Sequence, residues 1–111
     1  MSYGPIQVFT ATMAAADSQV VFSLPNAYSR AYFMLPSLST NAELAVQGST
    51  DGETYYVVRH ASGLAAPTAK VYASSVANSI VPAEDCILPH IKLVASQAPS
   101  SAAEFKMICV Y

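Results

Sequence analysis

Apolar residues along this chain recur mainly at every second position, the spacing of a half-buried strand rather than of a helix. Ser18 to Leu24 reads as a first strand, stopped at Pro25-Asn26. Arg30 to Leu35 follows, apolar on both faces, which predicts a central strand or one covered on both sides. Pro36 ends its ladder and Ser37 to Asn41 is a polar turn. Ala42 to Gln47 alternates cleanly, with Ala42, Leu44 and Val46 inward. Gly48 to Gly52 and then the β-rich run Thr54 to Arg59 complete a hairpin signal, because Asp51-Gly52 supplies the positive-φ positions of a turn.

Beyond His60, Ala61 to Thr68 reads as a loop, Lys70 to Ala73 as a short strand, and Ser79 to Val81 as a strand ending at Pro82. Pro82 to Asp85 is a turn. Cys86 to Leu88 leads into Pro89 to Ser96, where Ile91, Leu93 and Ala95 share a face. Gln97 to Ala103 is a loop of small residues. In Glu104 to Tyr111 one face is Phe105, Met107, Cys109 and Tyr111, while the other passes from Glu104 and Lys106 to Ile108 and Val110, which something should cover. About eight short strands separated by turns predict an all-β fold, a two-sheet antiparallel β-sandwich that is jelly-roll-like, with an Ig-like order as the alternative. The expected organisation is a single domain over 18–111, preceded by an N-terminal arm or edge segment over 1–17. Ala14 to Ala16 give Thr12 to Ser18 some helix propensity, over too short a span to stand alone. Within Met1 to Thr10, Gly4-Pro5 breaks regular structure, and Ile6, Val8 and Phe9 are expected to add a strand or to reach across to a neighbouring copy.

Composition narrows the function. The chain has 111 residues, of which charged residues make up only 11%, against about 25% in an average protein. The net charge of −2 and the scattered cations Arg30, Arg59, Lys70, Lys92 and Lys106 give no footprint for nucleic acid or for an anionic membrane. Seven Tyr and four Phe argue against disorder. No run approaches the ~20 apolar residues of a membrane-spanning helix, and Met1 to Pro5 lacks the basic start of a secretory signal. A soluble protein made in the cytosol is expected.

Candidate chemistry is thin. Cys86 and Cys109 fit no metal spacing; they read as two small buried thiols, or as one disulfide if their strands are neighbours. His60 and His90 are the only histidines, no Gly-x-Ser-x-Gly turn accompanies them, and both read as surface or edge histidines. Asp51 with Glu53 and Glu84 with Asp85 are pairs of acids in turns, where Asp is a turn former. Asp51-Gly52-Glu53 falls short of a calcium loop, and no phosphate loop or dinucleotide fingerprint occurs. No catalytic, cofactor-binding or metal-ligating residue is assigned, and no enzyme is expected. Tyrosines stand out instead. Tyr55 and Tyr56 are adjacent and should face opposite ways, one to the core and one outward. Exposed Tyr suits both protein interfaces and sugar stacking.

Val46-Gln47-Gly48-Ser49-Thr50-Asp51-Gly52-Glu53-Thr54-Tyr55-Tyr56-Val57 resembles a segment common in small virion proteins of tailed bacteriophages. Tyr28 to Pro36 resembles their preceding strand, and Leu88 to Ala95 and Ala103 to Met107 their last two, so the likeness spans about residues 18–111. The resemblance implies a capsid decoration (cement) protein or another accessory virion component, without catalytic residues. Its implied partner is the major capsid protein or another virion protein. Such proteins often assemble around a symmetry axis, here as a dimer or trimer. The implied location is the virion, after synthesis in the bacterial cytoplasm. The Asp-Gly-aromatic hairpin also occurs in discoidin-like and other carbohydrate-binding jelly rolls, which makes a sugar-binding module on a virion appendage the second reading. Candidate interface residues are Tyr3, Ile6, Val8, Phe9, Tyr28, Arg30, Tyr55, Tyr56, Ile108 and Val110. Strands apolar on both faces, together with the scarcity of charge, predict surface that is covered in the working state.

Overall fold

The computed structural model describes residues 6–25, 27–38, 42–62, 65–69, 71–72, 78–83 and 88–110, with 60–62 and 65–69 described as backbone. Their elements are all strands: β1 (Ile6–Met13), β2 (Gln19–Ser23), β3 (Arg30–Leu35), β4 (Leu44–Ser49), β5 (Tyr56–Val57), β6 (Arg59–Ser62), β7 (Ala65–Ala69), β8 (Val71–Tyr72), β9 (Ser79–Pro82), β10 (His90–Ala95) and β11 (Ala103–Val110). One sheet has the order β1-β11-β3-β9, the other the order β2-β10-β4-β5 with β8 also on β4, and β6 and β7 form a separate hairpin. Every pair is antiparallel. The pairs β1·β11, β2·β10, β3·β9 and β4·β8 nest one inside the next. The chain is thus one long antiparallel ribbon rolled into two facing sheets, a jelly roll rather than an Ig-like sandwich.

Side-chain parity builds the core. β11 sits between β1 and β3 and alternates strictly, with Ala103, Phe105, Met107 and Cys109 buried. They meet Ala31, Phe33 and Leu35 of β3 in the same sheet and, from the facing sheet, Val20 and Phe22 of β2, Leu44 and Val46 of β4, and Ile91 and Leu93 of β10. The Phe33 ring lies 6.0 Å from Phe22 and 5.9 Å from Tyr72 between centroids, joining the two sheets. The Tyr72 hydroxyl donates to the Pro82 carbonyl at 2.7 Å, so a buried phenol of one sheet ties down the edge of the other.

Three local expectations change. Thr12 to Ser18 forms no helix: β1 runs on to Met13, which pairs with Ala103 and is fully buried, so tertiary pairing outweighs alanine propensity. The turn that follows holds Ala16 at φ 68°, with its N–H on the Pro99 carbonyl at 3.0 Å. The run Thr54 to Arg59 is interrupted: β5 pairs with Gln47 and Gly48, Val58 bonds back to the Val46 carbonyl, and β6 leaves to pair with β7. Much of the expected loop Ala61 to Thr68 is therefore the β6–β7 hairpin, with a register shift between His60 and Ser62. Tyr3, Cys86, Glu84 and Asp85 of the turn Pro82 to Asp85, and Tyr111 lie outside the described residues.

The loop joining β4 to β5 is held by side-chain bonds rather than by a two-residue turn. The buried Ser49 hydroxyl donates to Asp51 Oδ1 at 2.8 Å and accepts the N–H groups of Gly52 at 2.9 Å and Asp51 at 3.2 Å. The same Oδ1 accepts the N–H groups of Glu53 and Thr54, each at 2.9 Å. Gly52 takes φ 80°, and a Cβ there would press on the His90 ring at 3.2 Å. The Glu53 and Thr54 amides, then the Ser49 hydroxyl, pull the Asp51 carboxyl from 3.8 down to about 2.

Two outcomes follow. Phe105→Ala, opening a void at the fully buried centre of β11, should cost about 3–5 kcal/mol, read as a lower urea midpoint at unchanged slope. Because the folded pKa of Asp51 lies below its ordinary value, its stabilisation is complete above pH 3.8 and is lost as pH falls toward 2. Asp51→Asn keeps an acceptor but cannot titrate, so its urea midpoint should fall less than that of the parent across this window.

Candidate functional site

Directly paired residues share a sheet face, so the register defines what the β1-β11-β3-β9 sheet turns outward. One row across it is Ile6, Val110 and Arg30. The next is Val8, Ile108, Tyr32 and Pro82, and the third is Thr10, Lys106, Met34 and Ile80. Ile80 is 59% exposed, Ile6 54% and Val8 52%. Met34 is also exposed, and Tyr32, Ile108 and Val110 are half-buried. Charge enters at Arg30 in the first row and at Lys106 in the third, between Thr10 and Met34, with Lys106 Nζ 3.6 Å from Glu104 Oε1. That pair, with Asn78, Ser79, Met34, Pro36 and Ile80, lines a cleft of about 420 Å³. A solvated antiparallel sheet carries a polar outer face; an exposed apolar patch that crosses every strand is the mark of a contact surface.

The outer face of the second sheet is mixed. Its rows are Ser23, His90 and Ser49, then Val21, Lys92, Gln47 and Val57, then Gln19, Val94, Ala45 and Val71. Lys92 Nζ stands 4.1 Å from the centre of the Tyr55 ring. His90 Nδ1 and Ser23 Oγ are 2.9 Å apart, near the edge of the sheet. The His60 side chain lies outside the described residues. Cys109 is a free, buried thiol whose pKa burial pushes up to about 11, so it stays protonated and poorly nucleophilic. Among the described residues no three His, Cys, Asp or Glu gather as a metal site, and no helix is long and apolar enough to cross a membrane.

The register brings together Ile6, Val8, Arg30, Ile108 and Val110 of the sequence candidates on one face. Phe9 and Tyr28 do not join them. They turn inward and meet edge to face at 6.0 Å, with the Tyr28 hydroxyl on Gln7 Oε1 at 2.5 Å; Tyr28 is buried in the core and Phe9 is half-buried against it. Tyr55 and Tyr56 do not divide into core and surface. Tyr55 is half-buried against Lys92, while Tyr56 is 72% exposed beside a cleft of about 330 Å³ formed with Thr50, Val57 and Leu88. Sequence reasoning left out Tyr32, Met34, Ile80 and Pro82; the two-faced apolar run of β3 was the signal that pointed to the first two.

No protein-family model and no curated protein sequence matches the chain. Among solved structures, it is similar to the Yersinia pseudotuberculosis-derived mitogen at 12% identity and a TM-score of 0.44, over 96% of this chain and 86% of that one. It is also similar to CBM32-1 from a family 31 glycoside hydrolase of Clostridium perfringens at 14% identity and a TM-score of 0.46, over 94% of this chain and 76% of that one.

Proposed function

We propose that this chain is a non-enzymatic structural protein that docks through the outer face of its β1-β11-β3-β9 sheet onto another protein. Following the resemblance of its hairpin and last strands to small virion proteins, we assign that partner to the head of a tailed phage. The chain would act there as a decoration protein that stabilises the major capsid protein lattice. The observation that carries the reading is the apolar row Val8, Ile108, Tyr32 and Pro82, flanked by Ile6, Met34 and Ile80. Burying such side chains against a complementary surface contributes about 25 cal/mol per Å², offset by the desolvation of the two charges in these rows, Arg30 and Lys106.

A second reading, a carbohydrate-binding module on a virion appendage, draws on Tyr56, whose exposed ring beside a small cleft could stack on a sugar.

Co-sedimentation of the purified chain with phage heads lacking it tests both. Saturable occupancy is expected, with Met34→Lys and Ile80→Lys each weakening it by about tenfold or more, and Tyr56→Ala leaving it unchanged. Failure to bind heads, together with glycan binding lost in Tyr56→Ala, would overturn the docking reading in favour of the second.

A further inference from the structure

The two long edges of a sandwich must be protected or used, because an edge strand presents a row of backbone donors and acceptors to any strand that approaches. Three edge elements here are blunted. β9 has four residues and ends in Pro82, and β5 and β8 have two residues each. β2 has five residues. β1 differs from all of them: it has eight residues, IQVFTATM, with no charge and no proline, and it pairs with β11 without a bulge over its whole length.

The direction of its free backbone groups follows from the hydrogen bonds around it. The Val110 carbonyl accepts from Ser29 N at 2.9 Å, on the β3 side of β11. The Ala31 carbonyl accepts from Ala83 N at 2.9 Å, on the β9 side of β3, which leaves Arg30 and Tyr32 aimed at β11. In an antiparallel strand the N–H and C=O of one residue point the same way, and successive residues alternate. Val110, Ile108 and Lys106 therefore bond toward β3, and Cys109, Met107 and Phe105 toward β1. Their partners Gln7, Phe9 and Ala11 point back at β11. Ile6, Val8, Thr10 and Thr12 are left with N–H and C=O aimed out of the sheet, along an edge on which no other described strand pairs.

We infer that this edge is where a second copy of the chain pairs, β1 against β1, antiparallel, about a two-fold axis at Thr10. About that residue Thr10 meets Thr10 and Val8 meets Thr12 in both directions, while Ile6 falls opposite Ala14, beyond the end of the strand. All three pairs fall at hydrogen-bonding positions, and Thr–Thr is a favourable cross-strand pair. With no charge on β1, self-pairing places no like charges together, which an isologous interface requires. The area points the same way. One four-stranded face measures only about 20 by 25 Å, roughly 500 Å², against roughly 800 Å² per partner in a standard interface. Two copies joined through β1 present a single eight-stranded face, crossed at its centre by the Thr10, Lys106, Met34 and Ile80 rows of the two copies end to end, with one Val8 and Ile108 row on either side of the axis. The pairing itself does not depend on what that face binds.

Sedimentation velocity of the whole chain, alone, is the test. The parent is expected to be a dimer, and Thr10→Pro a folded monomer. Proline there removes an N–H that no intrachain ladder uses and is tolerated on an edge of this kind. If Thr10→Pro fails to fold, Thr10→Lys, which sets two ammonium groups opposite each other at the axis, should dissociate the dimer with its circular dichroism unchanged. Under mild oxidation Thr10→Cys should convert to a covalent dimer, because paired Cα atoms about 5.5 Å apart lie within disulfide reach. Thr12→Cys, facing Val8 of the other copy, should not. A monomeric parent, or a dimer that survives Thr10→Pro and Thr10→Lys in folded protein, overturns the pairing. A dimer that ignores phage heads leaves the pairing standing and overturns the docking reading; a monomer that decorates heads does the reverse.

Discussion

The alternation along β11 is the constraint on which the rest of this molecule depends. Its two neighbours, β1 and β3, take their register from it. Its parity therefore decides for both which side chains enter the core and which are left outside. Ala103, Phe105, Met107 and Cys109 inside imply Glu104, Lys106, Ile108 and Val110 outside. A slip of one residue would exchange the two sets. In most sheets the polar face alone forbids that exchange, but here the outer set is half apolar. Glu104 and Lys106, paired across 3.6 Å, are what make the alternative register expensive, since slipping would carry both charges inward.

The nested pairing adds a second constraint. β1 and β11 lie at opposite ends of the described chain yet form its longest ladder, and each inner pair closes a shorter loop than the one outside it. Such non-local topology is slow to form, which places value on local structure near the tip of the ribbon. The β4–β5 loop supplies it. Ser49 and Asp51 satisfy one another and four backbone N–H groups within six residues of chain, and Gly52 lets the loop lie against His90 of β10. The loop is thus fastened both to itself and to the neighbouring strand.

Much of this was readable from periodicity. β2, β3, β9, β10 and β11 fall within a residue or two of where alternation and proline punctuation set them. The inward sets Leu44 with Val46 and Ile91 with Leu93 follow from parity alone. What was misread shares one cause, competition from distant partners. Ala14 to Ala16 favour a helix locally, but Met13 is claimed by Ala103 across the sheet. Phe9 and Tyr28 have the composition of an interface, but each meets the other at the sandwich margin. Thr54 to Arg59 looks like one strand, but its two ends pair with different partners, β4 and β7. For the candidate surface, sequence gave the apolar outer faces of β3 and β11 one at a time; only the register shows that Val8, Ile108, Tyr32 and Pro82 fall into one row.

The scarcity of charge, 11% of the chain, then acquires a location. The second sheet sets one charge, Lys92, with the polar His90, Gln47 and Gln19 among its outward valines. The other sheet carries Arg30 on β3 and Glu104 and Lys106 on β11, and β1 is the longest described strand with no charge at all. There Val8, Thr10 and Thr12 direct their side chains to the apolar face and their backbone groups to the open edge. A lysine at any of these positions is the usual means of keeping an edge strand solitary, and it would spoil a contact surface at the same time. A sandwich that worked alone would gain from such a charge and lose nothing, so a β1 without one is what a chain built to be covered would carry.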